Sequence, residues 1–212
     1  MMIDNWLEKT KIRNALRKFV KKYLFNKISP NTLTLLGFTF GLTCALFIFL
    51  SSITNYTLEF IILSAIFMIL SFFLDVLDGT LARLKKPSVF GGILDLFCDR
   101  TVEISIIIAL VSTDPLNLVW PGLFSLAAII LCITVFLAMG TTCKTKNAGK
   151  NQKAIYYSHG IMERSETLIF LLLMTILPPL RIILLWFFAI LVFLTALQRL
   201  IQAYCKLSSK EQ

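Results

Sequence analysis

The stretch DVLDGTLARLKKPSVFGGILDLFCDR, residues 75–100, sets four aspartates, Asp75, Asp78, Asp95 and Asp99, into two otherwise apolar segments. At 3.6 residues per turn, Asp75, Asp78, Gly79, Ala82 and Arg83 stand at i, i+3, i+4, i+7 and i+8 and so share one stripe of a helix. Gly91, Asp95 and Asp99 stand at i, i+4 and i+8 of a second. Two such helices joined by a short loop can turn their stripes toward each other. Four carboxylates then converge.

Unpaired, each of these charges costs several kcal/mol near a membrane, and together they repel one another. Something positive belongs among them. Hard divalent cations that prefer oxygen ligands, Mg²⁺ or Mn²⁺, meet that need, and a pair of such ions suits the transfer of a phosphate group. Gly79, Ala82 and the Gly91-Gly92 pair would let a bulky polar ligand come close to the backbone. Arg83, at the end of its stripe, can pair with a phosphate. A single intramembrane aspartate is often a helix-end cap, and paired glycines often mark close helix packing. Four acids in register with Gly, Ala and Arg argue instead for a functional site.

The surroundings are those of a membrane protein. Of 212 residues, 57% are hydrophobic and 16% charged, and the mean hydropathy is +0.80. Apolar runs near the ~20 residues that cross a bilayer lie at 33–50, 58–77, 92–112, 118–139, 165–178 and 181–203. The expected fold is an all-α integral membrane protein with six transmembrane helices. Residues 1–30 have no apolar core ahead of a small-residue cleavage site and are not expected to be a signal peptide. Within 6–24, Ile12, Leu16, Phe19, Val20 and Tyr23 recur at helical spacing among lysines and arginines. That pattern predicts an N-terminal amphipathic juxtamembrane helix against anionic lipid, or a generic positive segment on the cytoplasmic side. The chain thus divides into a juxtamembrane helix (1–30), a six-helix domain (31–205) and a cytoplasmic tail (206–212). The five cysteines, Cys44, Cys98, Cys132, Cys143 and Cys205, show no pairing that would suggest a disulfide framework or a zinc site.

Orientation follows from the basic residues, which are retained on the cytoplasmic side. Lys9, Lys11, Arg13, Arg17, Lys18, Lys21, Lys22 and Lys27 precede the first span; Arg83, Lys85, Lys86 and Arg100 flank the second connection. Lys144, Lys146, Lys150, Lys153 and Arg164 flank the fourth, and Arg199, Lys206 and Lys210 the end. The opposite connections, near 51–57, 113–117 and 178–181, hold only Arg181. Both termini and the aspartates are expected on the cytoplasmic side of the cell membrane. Membrane lipids are the expected surroundings, and no nucleic-acid partner is expected.

The aspartate motif resembles the signature of the CDP-alcohol phosphotransferase family, DxxDGxxAR followed after about eight residues by GxxxDxxxD. Asp75-Val-Leu-Asp78-Gly79-Thr-Leu-Ala82-Arg83 matches the first half and Gly91-Gly-Ile-Leu-Asp95-Leu-Phe-Cys-Asp99 the second. The spacer, 84–90, is one residue short of the usual pattern. The resemblance implies a phosphatidyltransferase of phospholipid biosynthesis dependent on two Mg²⁺ or Mn²⁺ ions. It makes Asp75, Asp78, Asp95 and Asp99 metal ligands, with Asp99 also the base that activates the acceptor hydroxyl. Asp78, Gly79, Ala82 and Arg83 would hold the CDP part of a CDP-linked lipid, diacyl or diether. Ser88 matches a serine often found near the nucleotide, and Asn31 and Thr34 of SPNTLTLLG (29–37) match the family's start of the first span. The resemblance also implies a homodimer. SPNT on its own is equally an ordinary helix start.

For the acceptor, a small polar alcohol, GIMERSE (160–166) resembles the GxxERxER run of phosphatidylinositol-phosphate-type synthases. Arg164 matches its first arginine, while Thr167 stands at the second. Arg164, with Lys144 and Lys146, is expected to bind a phosphate on the acceptor; the lysines equally serve topology. A polyol phosphate such as inositol phosphate fits best. Alternatives are phosphatidylglycerophosphate synthesis, disfavoured by Leu35-Leu36-Gly37 where an arginine is common, and a neutral or zwitterionic acceptor. A divalent-cation transporter is the alternative from another class. Glu103, one turn beyond Asp99, is expected to support the ligands, and His159 to be a loop residue.

Overall fold

The computed structural model describes residues 11–25, 27–54, 57–85, 88–146 and 160–208, with the side chains of 11–14, 141–146 and 206–208 left out. The regular structure among them is helical: α1 (Lys11–Tyr23), α2 (Pro30–Ile53), α3 (Thr57–Leu84), α4 (Val89–Ser112), α5 (Pro115–Lys146), α6 (Arg164–Ile176), a 3₁₀ turn (Pro178–Leu180) and α7 (Arg181–Ser208). Every one of the six apolar runs is a helix. Four, Pro30–Ile53, Thr57–Leu84, Pro115–Gly140 and Pro178–Cys205, are long and apolar enough to cross a membrane. The other two differ for physical reasons. α4 has the length but carries Asp95, Asp99, Arg100 and Glu103. α6 has 13 residues, fewer than the ~20 a span needs.

Helix starts are legible at the level of single side chains. Ser29 Oγ accepts from Thr32 N–H at 3.2 Å, with Pro30 opening α2. Ser88 Oγ does the same for Gly91 N–H at 2.9 Å, so α4 starts immediately ahead of its aspartates. At α6, the Glu163 N–H donates to Glu166 Oε2 at 3.2 Å. Each bond satisfies a backbone donor that the first turn would otherwise leave open.

The core runs through Cys44, Ile48, Ile106, Ile107, Leu110, Leu171, Met174, Leu185 and Phe188, while Leu46, Ile62, Trp120, Phe187 and Ile201 are exposed around the outside. Such an apolar exterior is what lipid contact requires. α2 packs against α3 and α4, and α5 against α7. Small residues set the first of these contacts. Ser71 Oγ donates to Gly37 O at 2.7 Å, and a Cβ on Gly41 would stand 2.6 Å from both methyls of Val102 and 3.2 Å from Ser71 Oγ. Gly41 therefore lets α3 and α4 close on α2 just beyond the aspartates. Gly41→Leu should cost about 1–3 kcal/mol of overpacking, read as a lower unfolding temperature in detergent.

Arg181, the lone basic residue of the connections near 51–57, 113–117 and 178–181, is buried. Its guanidinium donates to Met174 O (2.8 Å), Thr175 O (3.2 Å) and Thr113 Oγ1 (2.9 Å), closing the turn between α6 and α7 and tying it to the end of α4. α1 docks on the start of the bundle. Val20 is fully buried in a cluster with Leu33, Leu77 and Leu81, joined by Leu16. Arg17, Lys18, Lys21, Lys22, Phe19 and Tyr23 are exposed. Lys85 Nζ donates to Ile28 O at 2.9 Å and lies over the Phe25 ring, which fastens the connection after α1 to the end of α3.

Candidate active site

The helical register of α3 and α4 turns their acidic stripes toward each other. One carboxylate oxygen from each of Asp75, Asp95 and Asp99 lies within 4.8 Å of the other two. Asp75 and Asp99 line a cavity with Thr34, Asp78, Glu103 and Arg164. Asp78 stands beside the trio, buried, with Oδ2 accepting from Thr34 Oγ1 at 2.7 Å. Thr34 thus joins the start of α2 to the motif of α3.

Arg164 enters from the first turn of α6. Its Nη2 donates to both Asp75 Oδ1 and Asp99 Oδ1, and its Nη1 lies 3.6 Å from Asp95 Oδ2. The segment before it is anchored to α7: Met162 N–H donates to Thr195 Oγ1 at 2.9 Å, and a Cβ on Gly160 would run into the Thr195 methyl. Thr167, at the second position of the arginine pattern, is buried and donates its hydroxyl to Glu163 O at 3.1 Å, so it serves its own helix.

Of the residues expected around the nucleotide, Asn31 and Ser88 come together. A Cβ on Gly91 would lie 2.8 Å from Ser88 Oγ and 3.0 Å from Asn31 Oδ1, so these three positions meet where α2 and α4 begin. A Cβ on Gly79 would lie 3.8 Å from Arg83 Nη2, and Ala82 is half-buried one turn along the same stripe. Glu103 is buried one turn beyond Asp99 and pairs with Arg100 Nη1. α5 continues through Lys144 and Lys146, whose side chains lie outside the described residues, as do Lys150, Lys153 and His159. Arg199, read in the sequence as a topology residue, instead donates to Cys132 Sγ at 3.2 Å and lies over the Phe136 ring.

The CDP-alcohol phosphatidyltransferase profile matches residues 27–197. The chain belongs to that family. It is a membrane-bound transferase of phospholipid biosynthesis, and the alternative of a cation transporter falls. An archaetidylinositol phosphate synthase from Pyrococcus horikoshii is 30% identical over 194 residues, 91% of this chain and 93% of the relative. Inner membrane protein YnjF of Escherichia coli is 27% identical over the full length of both chains. The Mycobacterium tuberculosis phosphatidylinositol phosphate synthase PgsA1 with CDP-DAG bound shares the fold, with a TM-score of 0.63 and 20% identity over 92% of this chain and 94% of that one. A second PgsA1 structure, in complex with manganese and citrate, superposes with a TM-score of 0.64 and 21% identity over 89% of this chain and 88% of that one.

The transferase works with divalent metal, and its own residues fit that requirement. Three carboxylates present hard oxygen donors within the span of one small cation's coordination shell. Asp95 Oδ1 is buried and accepts no hydrogen bond among the described residues. A buried carboxylate oxygen left in that state is costly unless a cation takes it up.

Proposed function

We propose that this phosphatidyltransferase moves a phosphatidyl group from a CDP-linked lipid to the hydroxyl of a polyol phosphate, inositol phosphate being the best fit, and releases CMP. The observation that carries the reading is the meeting of Asp75, Asp95 and Asp99 in one cluster against Arg164: acids for metal and proton transfer, and beside them a fixed cation for a second phosphate. The archaetidylinositol phosphate synthase relative supports the choice of acceptor.

Asp75, Asp78, Asp95 and Asp99 are the metal ligands in this reading. Mg²⁺ or Mn²⁺ held there would offset charge on the diphosphate and on the departing CMP. Asn31, Thr34, Asp78, Gly79, Ala82, Arg83 and Ser88 hold the CDP moiety. Asp99 takes the proton from the acceptor hydroxyl as its oxygen attacks the β-phosphorus; the phosphorus–oxygen bond to CMP breaks, and CMP carries away the electron pair. Arg164, with Lys144 and Lys146, receives the acceptor's phosphate. In-line placement of two bound substrates supplies the rest of the acceleration.

Supplying purified protein with CDP-diacylglycerol, Mn²⁺ and a panel of alcohols, then identifying the lipid product by mass spectrometry, tests the acceptor. Inositol phosphate should be used in preference to glycerol 3-phosphate, free inositol and serine. Arg164→Lys should raise the KM for inositol phosphate roughly 10-fold, the loss of a paired hydrogen bond, and leave the KM for CDP-lipid near its original value. A neutral alcohol as the preferred substrate would replace this acceptor assignment.

The same reading includes six spans, with α6 a short one that crosses only part of the bilayer before the Pro178–Leu180 turn, α1 lying in the lipid interface, both termini and the aspartates on the cytoplasmic face, and a homodimer. The distribution of Lys and Arg supports the topology. Single cysteines placed at Thr54 and Asn117 in a cysteine-free background should label from outside intact cells, and ones at Lys86 and Ala148 only after permeabilisation. Labelling at Lys86 in intact cells would overturn the arrangement.

A further inference from the structure

Arg164 lies where a metal ion would have to sit. Its Nη2 bonds Asp75 and Asp99 together, and its Nη1 stands 3.6 Å from Asp95 Oδ2. These are the three carboxylates whose oxygens approach within 4.8 Å. A guanidinium and a metal ion cannot both occupy the centre of that triangle. We propose that Arg164 is the counter-ion of the metal-free carboxylate cluster and is displaced from it by the metal, so that loading the metal and freeing the guanidinium for the cavity are one event.

Three features support an exchange over a permanent ion pair. One guanidinium bonds into three carboxylates, with Asp78 beside them and Arg83 and Arg100 farther off, so carboxylates outnumber the guanidiniums around them, which favours a divalent ion. The guanidinium fork is planar and leaves Asp95 Oδ1 buried with no hydrogen bond among the described residues, whereas a metal's coordination shell takes donors from several directions. The Arg164 side chain is 33% exposed, so it has room to swing, while its backbone is held by the Met162–Thr195 bond and the turn at Glu163. The base of the arm is fixed and its tip can move.

The exchange goes beyond the acceptor assignment, because it needs neither substrate. Arg164→Gln removes the competing cation and nearly keeps the volume. Protein prepared in Mn²⁺ and stripped with EDTA, with no lipid donor or alcohol present, is titrated with Mn²⁺ and followed by electron paramagnetic resonance. The variant should bind Mn²⁺ roughly 10- to 100-fold more tightly, the scale of one or two charge-assisted hydrogen bonds. Stripped of metal, it should also unfold at a lower temperature than the parent, and saturating Mn²⁺ should close the gap. Arg164→Lys, which keeps the charge and loses the fork, should fall between. If the stripped variant does not stay folded, the EDTA concentration needed to withdraw Mn²⁺ reads the same affinity, and the variant should need more. Unchanged or weaker Mn²⁺ binding overturns the proposal. So does tighter binding with no loss of metal-free stability, which would mean that Arg164 only repels the metal from a distance. Neither readout depends on the acceptor, so the exchange and the acceptor assignment stand or fall separately.

Discussion

Asp99→Asn should all but abolish CMP release from a CDP-linked lipid while the protein remains folded and inserted. The side chain stands between the two groups that the reaction depends on. It shares the carboxylate triangle with Asp75 and Asp95, and its Oδ1 is close enough to Arg164 to be bonded by it. Asparagine keeps the shape and one acceptor oxygen but cannot take a proton. Loss of a positioned base alone costs about 10²- to 10⁴-fold in turnover, and the weaker metal site adds to it. The loss should appear in kcat and kcat/KM together, the pattern of an interaction made in the transition state. Substantial turnover by this variant in liposomes would remove Asp99 from the role of base.

Asp95→Asn should act first on the metal. Asp95 Oδ1 is a buried carboxylate oxygen with no hydrogen bond among the described residues, and Oδ2 lies 3.6 Å from Arg164. An amide in its place lacks the charge that a hard cation selects. Apparent Mn²⁺ affinity should fall by on the order of 100-fold, the upper end of what altered metal surroundings cost, with part of the activity returning at high Mn²⁺. Asp75→Asn should behave alike, but with a smaller change in affinity, because it also releases one of the bonds that hold Arg164 in the metal's place. Activity in either variant that never responds to added metal would argue against their role as ligands.

The helical stripes of Asp75–Arg83 and Gly91–Asp99 are legible in the sequence because a helix repeats every 3.6 residues and its own spacing reports which side chains share a face. The caps at Ser29 and Ser88 are legible for the same local reason. Contacts that join distant segments carry no such period. Arg164 reaches back 89 residues to Asp75 and 65 to Asp99, and its sequence surroundings point only to a phosphate. Arg181 reads as a stray charge on the far side, yet its burial depends on the carbonyls of Met174 and Thr175 at the end of α6 and on the Thr113 hydroxyl. The absent second arginine at Thr167 is explained only by the bond from its hydroxyl to Glu163 O. Glu103, expected from its register to support the ligands, lies in the cavity wall and pairs with Arg100.

The two parts of the proposed site rest on different foundations. Asn31, Ser88 and Gly91 meet where α2 and α4 begin, and the outer face of the same α3 motif, Leu77 and Leu81, is braced by Val20 of α1. Arg164 hangs from the other half of the bundle, through the Thr195 hydroxyl of α7. Under the proposed assignment the residues around Arg164 in 160–167 and their seat on α7 could be rewritten while Asn31, Ser88 and Gly91 are left alone. A lineage that kept one activated lipid could explore new head groups by editing a single short segment, and a protein engineer could follow the same route.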